Sequence, residues 1–407
     1  VGKATLTVTP GATKTYDGTA YSGGAVTYSG FVNSENATAL SGSLTYGGTA
    51  QGAINANTYT LTASGQTSAN YDIVYATGSL VINKALLTIT ASDVIKTYGQ
   101  TPTLTAYTSA GLQNSETIGS VTLTSAGTAA TAGVGASPYA IVASNATGGT
   151  FNLANYDITY NPGSLTVGKA TLTVTPGATK TYDGSAYSGG AVTYSGFVNA
   201  ENASALSGSL TYGGTAQGAT GANTYTLTAS GQNSDNYDIV YAPGSLVISK
   251  APLSLTATDV TKTYGQALTL TAFTSAGLQN GETIGGVTLA SAGAAAAAGV
   301  GSSPYAISIA NATGGTFSSS NYDITYVPGV LTVGRATLTV TPGTTKTYDG
   351  NPFTGGSVTY AGFVNGETLS VLTGSLTFGG SAQGATNANT YTLTASGQNA
   401  ANYSLIY

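Results

Sequence analysis

The chain has 407 residues, of which only 6% are charged (10 Lys+Arg against 15 Asp+Glu), and it contains no Cys, His, Met or Trp. An ordinary soluble domain carries roughly 25% charged residues. The missing residue types exclude disulfides, Cys/His zinc sites, haem and iron–sulfur ligation and histidine acid–base chemistry, and a net charge of −5 offers no phosphate-binding stripe for nucleic acid.

Hydrophobic residues make up 41% of the chain and 28 tyrosines are spread along it, which argues for burial rather than disorder. No run approaches the roughly 18 apolar residues of a spanning helix. The start at Val1-Gly2-Lys3 lacks an initiator methionine, a basic n-region and an apolar h-region, and reads as a point inside a longer pattern. Absence of Cys in a β-rich chain fits an extracellular bacterial protein.

In chain order, Ala4-Thr5-Leu6-Thr7-Val8-Thr9 places Leu6 and Val8 on one face and threonines on the other. Turn dipeptides follow at Pro10-Gly11, Asp17-Gly18, Gly23-Gly24 and Gly47-Gly48. Alternation resumes over Thr58 to Ala63, then through Tyr71, Ile73 and Tyr75, then through Leu80 and Ile82. This period of two predicts half-buried antiparallel strands, about seven per unit, at the turn spacing of a β-sandwich. The run from Ser79 to Ile89 passes from one last strand into the next first strand with no flexible linker, so a stiff head-to-tail array is expected. The alanines from Ala294 to Ala298 correspond to Thr128-Ala129-Ala130-Thr131-Ala132 and are expected to form a loop.

The 17 residues from Gly2 to Gly18 recur unchanged at Gly168 to Gly184, and with two substitutions at Gly334 to Gly350. A cation opens an apolar–Thr alternation at Lys3, Lys84, Lys169, Lys250 and Arg335. A G-[FL]-x-N-x-E signature begins 27 residues later in every case, at Gly30, Gly111, Gly196, Gly277 and Gly362. A Lys-Thr-Tyr follows each opening cation, and an Asn-Tyr pair closes each unit at Asn70, Asn155, Asn236, Asn321 and Asn402. Five repeats in the order A–B–A–B–A are therefore expected over residues 1–83, 84–168, 169–249, 250–334 and 335–407. The A repeats carry Lys-Thr-Tyr-Asp-Gly and the B repeats Lys-Thr-Tyr-Gly-Gln.

The Lys14-Thr15-Tyr16-Asp17-Gly18 motif and its copies ending at Gly184 and Gly350 resemble YDG-type repeats. The Lys96-Thr97-Tyr98-Gly99-Gln100 and Lys262-Thr263-Tyr264-Gly265-Gln266 motifs resemble the related glycine-rich, mostly-β MBG repeats. Such repeats occur in large secreted bacterial adhesins of the filamentous-haemagglutinin kind, so the resemblance implies an extracellular adhesion or biofilm-matrix role.

The carboxylates are the only acid–base candidates, and nearly all recur at equivalent positions: Glu35, Glu116, Glu201, Glu282 and Glu367, and Asp72, Asp157, Asp238 and Asp323. An active site is normally present once, with unlike partners converging, so a set copied in every unit is expected to serve the fold. No catalytic, cofactor-binding or metal-binding residue is assigned. The Asp of Tyr-Asp-Gly is expected in a turn. The competing reading is calcium held near unit boundaries by Asp93 and Asp259, although no Asp-rich loop supplies six to eight oxygens. Lys14 and Glu35 could form a buried ion pair, or the lysine an isopeptide bond to Asn. Rows of Thr, Ser, Asn and Tyr could bind carbohydrate; otherwise the tyrosines belong to the core, with hydroxyls reaching the surface. Asn-Ala-Thr at Asn36, Asn145 and Asn311 matches a glycosylation sequon too short to carry weight.

The reading that results is an all-β array of five sandwich-like repeats, about 35–40 Å each and roughly 200 Å in all. Its expected role is the non-enzymatic stalk of a secreted or surface-anchored adhesin. A polysaccharide-binding matrix module and a self-assembling filament subunit are the alternatives. The third A repeat ends at Tyr407, at the offset of Tyr75, and lacks the strand that Gly78 to Asn83 supplies in the first. A continuation of the array is expected to provide it.

Overall fold

The computed structural model describes residues 1–407 and is all-β, with 49% of residues in strands and no helix of seven residues or more. The chain divides into two compact units. One comprises Val1–Val174, Tyr194–Leu210 and Ser230–Tyr241; the other comprises Thr175–Thr193, Thr211–Ala229 and Ala242–Tyr407.

In the first unit the opening A repeat forms β1 (Ala4–Thr15), β2 (Ala25–Ser29), β3 (Thr45–Gly47), β4 (Asn57–Ser64), β5 (Tyr71–Tyr75) and β6 (Gly78–Asn83). The following B repeat forms β7 (Ala85–Ala91), β8 (Val94–Thr97), β9 (Tyr107–Ala110), β10 (Ile118–Thr124), β11 (Tyr139–Gly149), β12 (Tyr156–Asn161) and β13 (Gly163–Gly168). The B repeat consists of a three-stranded sheet, β12-β7-β9, and a four-stranded sheet, β10-β11-β13-β8. The A repeat has the same plan with one difference. Its β1 serves both sheets: Ala4 to Val8 pair with β5, and Gly11 to Thr15 pair with β6. One continuous 12-residue strand thus replaces β7 and β8, and the A repeat has six strands rather than the expected seven.

The strand pairing corrects a second expectation. In the first A repeat β1 runs parallel, not antiparallel, to both closing strands, as in Ala4↔Tyr71 and Gly11↔Ser79, and in the B repeat β7 runs parallel to β12 and β8 to β13. Alternating burial looks the same in either orientation, so the pattern of side chains could not distinguish them. The two closing strands lie close over the first: a Cβ on Gly78 would land on the carbonyl of Pro10, and one on Gly163 on that of Ala91.

Along the strands the alternation is as read. Leu6, Val8, Leu61 and Leu80 are fully buried while the intervening threonines face outward; each such leucine contributes about 1.5–3 kcal/mol. The apolar clusters do not stop at the repeat boundary. One joins Tyr16, Leu61, Leu80 and Ile82 to Leu87, Ile89 and Tyr156 of the next repeat. Another joins Ile141, Leu165 and Val167 to Leu172 and Tyr237.

In the second unit, the B repeat has sheets built on Ala251–Ala257 and Val260–Thr263, with the registers of its predecessor. The alanine run is a loop, with one 3₁₀ turn over Ala292–Ala294. In the last A repeat, Ala336–Pro342 pairs with Val358–Ala361 and Tyr403–Ile406. Residues 343–349 form no strand, and Tyr348 is 66% exposed where Tyr16 and Tyr182 are buried.

Candidate functional site: the joint between consecutive repeats

The three motifs that recur in each repeat meet at one place, and they meet across the boundary. In the G-[FL]-x-N-x-E signature of the first B repeat, Gly111 has φ +109°, and a Cβ there would strike the carbonyl of Leu86. This close turn leads to Asn114 in the left-handed region (φ 47°) and, through the bond from the Glu116 amide to the Gln113 carbonyl (2.9 Å), sets the Glu116 side chain facing β12. Tyr156, the tyrosine of the closing Asn-Tyr pair, donates its hydroxyl to Glu116 Oε2 at 2.5 Å and accepts from the Gln113 amide at 2.8 Å. Tyr16, from the Lys-Thr-Tyr of the preceding A repeat, donates to Glu116 Oε1 at 2.5 Å. The two rings pack edge to face, 5.5 Å apart. Asn155 completes the joint by accepting the Ala56 amide of the preceding repeat at 2.9 Å.

The arrangement recurs at each boundary. Within the first unit, Tyr98 and Tyr237 donate to Glu201 at 2.6 and 2.5 Å. Within the second, Tyr182 (2.5 Å) and Tyr322 share Glu282, and Tyr264 (2.6 Å) and Tyr403 share Glu367. The asparagines Asn236, Asn321 and Asn402 accept the amides of Val134, Ala222 and Val300. Ring centroids stand 5.3–5.7 Å apart in each pair.

The environment raises every tyrosine of these pairs above the usual phenol value. Burial and then the hydrogen-bonded carboxylate push Tyr237, Tyr322 and Tyr403 up to about 12, and raise Tyr156 in the same way. For Tyr98 and Tyr264 the bond to Glu201 or Glu367 is the larger cause and burial the smaller. A carboxylate that accepts two phenolic protons is a charge-assisted clasp. Because Tyr16 belongs to one repeat and Glu116 and Tyr156 to the next, the shared carboxylate ties the two repeats together.

The turn after the plugging tyrosine fits the socket it enters. In A repeats, Asp17 accepts the Thr19 amide at 2.9 Å and pairs with Lys14 at 2.7 Å, and this lysine hydrogen bond holds its carboxyl at about 2. Asp17 is therefore the expected turn residue. The Lys14–Glu35 ion pair does not form, because Lys14 is taken by Asp17 and Glu35 Oε2 by Tyr71 at 2.5 Å. In B repeats the lysine is buried: Lys96 donates to the carbonyls of Gln100 (2.9 Å) and Ala129, and desolvation lowers its pKa. The partners of Lys14 and Lys96 are Asp17, Thr19 and backbone oxygens, so neither is directed at an Asn side chain for an isopeptide bond.

Asp93 and Asp259 accept the amides of Ser164 and Val330 at 2.7 Å, each tying the break between the first two strands of a B repeat to its closing strand. No group of three or more His, Cys, Asp or Glu side chains converges in the structure. Asp72, Asp157, Asp238 and Asp323 are exposed, with Asp157 lying 3.7 Å from Lys84. The closing tyrosines depart from expectation: Tyr71 and Tyr156 are buried to their hydroxyls, which end on glutamate rather than at the surface. The plugging tyrosines carried a signal, their fixed place after each opening cation, but nothing in that spacing said they act on the following repeat.

These features define a class: a tandem array of all-β repeats clasped one to the next by a shared tyrosine–carboxylate joint. The MBG domain (YGX type) family model matches residues 6–81, 87–166, 172–247 and 253–332, and the YDG domain model matches 334–407. The chain belongs to the MBG-domain family, with a YDG domain at its end. The MBG model takes in the first two Tyr-Asp-Gly repeats as well as the two Tyr-Gly-Gln repeats. No curated protein matches the chain. Among solved structures, Drosophila N-cadherin EC1-4 is 7% identical over 68% of this chain and 83% of that one, with a TM-score of 0.20. Domains 4-9 of the surface layer protein SbsC are 12% identical over 89% of this chain and 72% of that one, with a TM-score of 0.20. The three N-terminal domains of the bacteriophage RB49 Highly Immunogenic Outer Capsid protein are 12% identical over 73% of this chain and all of that one, with a TM-score of 0.21. Scores this low carry no argument about this chain.

Proposed function

We propose that this chain is a non-enzymatic structural segment, the stalk of a bacterial extracellular adhesin or matrix fibre, which holds a binding region away from the cell. The observation that carries the reading is the fate of the recurring polar residues. At each boundary the shared glutamate and both tyrosines bond one another and the closing asparagine bonds a backbone amide of the preceding repeat, so the joint serves mechanical continuity. Tyrosines outside the joints are also engaged within their own repeat: Tyr28 donates to Gln66 Oε1 at 2.8 Å and Tyr75 accepts the Gln66 amide at 2.8 Å. Membership of the MBG family supports a repeat-based structural protein, and extracellular placement belongs to the proposal.

Small-angle scattering tests it. A stalk gives a radius of gyration well above the roughly 22 Å of a single globule of this length. A value near 22 Å removes the stalk, and saturable binding on a glycan array by the full chain turns the reading toward a polysaccharide-binding module.

A further inference from the structure

The first repeat carries the same socket as the later ones, already formed, with no tyrosine in its second position. Tyr71 donates to Glu35 Oε2 and accepts the Val32 amide at 3.0 Å, as Tyr237 does with Glu201 Oε2 and Val198. Asn33 holds φ 54°, against 55° for Asn199 and 54° for Asn365. Val32 is 48% exposed, whereas Val198 and Val364 are half-buried beneath a neighbouring repeat, and Asn70 is exposed where Asn236 and Asn402 are half-buried.

We infer that the face formed by Val32, Asn33, Glu35 and Asn70 is a docking surface for the Lys-Thr-Tyr-Gly-Gln edge of a B repeat, and that it rejects the Lys-Thr-Tyr-Asp-Gly edge of an A repeat. Two internal joints carry this. In both sockets that have valine at the position of Val32, the partner is a B edge: Gly99 lies on Val198 and Gly265 on Val364. Gly99 has φ +93°, and a Cβ on it would lie 2.7 Å from the Val198 Cβ, so an aspartate at that position meets both backbone strain and a clash. The sockets that take A edges differ where it matters. They carry Gln113 or Gln279 in place of valine, and they seat Gly18 or Gly184 against Asn114 or Asn280. The same register therefore predicts Tyr hydroxyl on Glu35 Oε1, an asparagine–amide bond at Asn70 and Gly on Val32. The inference rests on joint geometry and stands whether or not the array is a stalk.

The test appends a copy of residues 84–166 to the full chain, where Val1-Gly2-Lys3 continues it as Val167-Gly168-Lys169 continues the original. Hydrogen exchange read by mass spectrometry on the peptide containing Val32 to Glu35 is expected to slow at least tenfold relative to the 407-residue chain. Changing Tyr98→Phe in the appended copy, or Glu35→Ala, is expected to remove most of that protection. Replacing the appended Tyr-Gly-Gln by Tyr-Asp-Gly is expected to remove it as well. Equal exchange with and without the appended repeat overturns the docking surface, and equal protection by both edges overturns its selectivity. A single protected isotope envelope for the Ile141 and Leu165 peptides, which the original and appended copies share, verifies that the appended repeat is folded, and residues 250–332 serve as a second donor if it is not.

Discussion

In an A repeat, the lysine before the plugging tyrosine lies near the surface and is neutralised by the turn aspartate, as Lys14 is by Asp17 at 2.7 Å. In a B repeat the same lysine is 2% exposed and caps two backbone carbonyls instead. The first strand differs in parallel, continuous through Pro10-Gly11 in one and broken at Ser92-Asp93 in the other. Both constructions deliver a tyrosine hydroxyl to the same carboxylate. The shared element is thus the joint, and the turn and lysine are alternative scaffolds for it.

Removing the shared part is expected to have the largest effect, and one of similar size in both kinds of joint. Glu116→Ala and Glu201→Ala each strand two buried phenols without their acceptor, at about 1–3 kcal/mol for each group left unpaired. Denaturant unfolding of the two variants checks this, and a large difference between them would break the equivalence. The scaffolds should respond unequally. Lys96→Met leaves the Gln100 carbonyl without its lysine partner and is expected to cost about 1–3 kcal/mol. Lys14→Met removes a partly exposed ion pair with Asp17 and a bond to the exposed Thr19 carbonyl, with an expected loss below about 1 kcal/mol. Equal costs would mean that burial of the B-type lysine is energetically silent.

The smallest and most uniform effect is expected with pH. The folded-state values of Tyr237, Tyr322 and Tyr403, near 12, stand above the ordinary phenol value of 10. A raised folded value means that the unfolded chain loses its protons first, so the stabilisation is complete below pH 10 and is lost as pH climbs toward 12. Melting temperature measured across that window is expected to fall, and variants with phenylalanine at both tyrosines of a joint are expected to fall less.

Much of the fold was legible because its causes are local. Leu6 and Val8 against threonines announce a half-buried strand, and Asp17-Gly18 a turn, without reference to the rest of the chain. Parallel pairing was not legible, because Leu80 and Ile82 alternate identically whichever way the strand runs. The joint was hidden for a different reason. Every repeat carries the tyrosine, the glutamate and the asparagine, so their spacing is the same whether they meet within a repeat or across a boundary. Tyr71 with Glu35 is the within-repeat contact, and Tyr16 with Glu116, 100 residues apart, is the one that only the three-dimensional structure separates from it.

That separation is also the most direct thing to measure. A double-mutant cycle of Tyr16→Phe with Glu116→Gln, read from unfolding free energies of the full chain, isolates the bond between repeats from the bond within one. The clasp described here gives a coupling energy of about 1–2 kcal/mol, with the double variant hardly worse than the more damaging single one. Additive losses, with a coupling indistinguishable from zero, would contradict it.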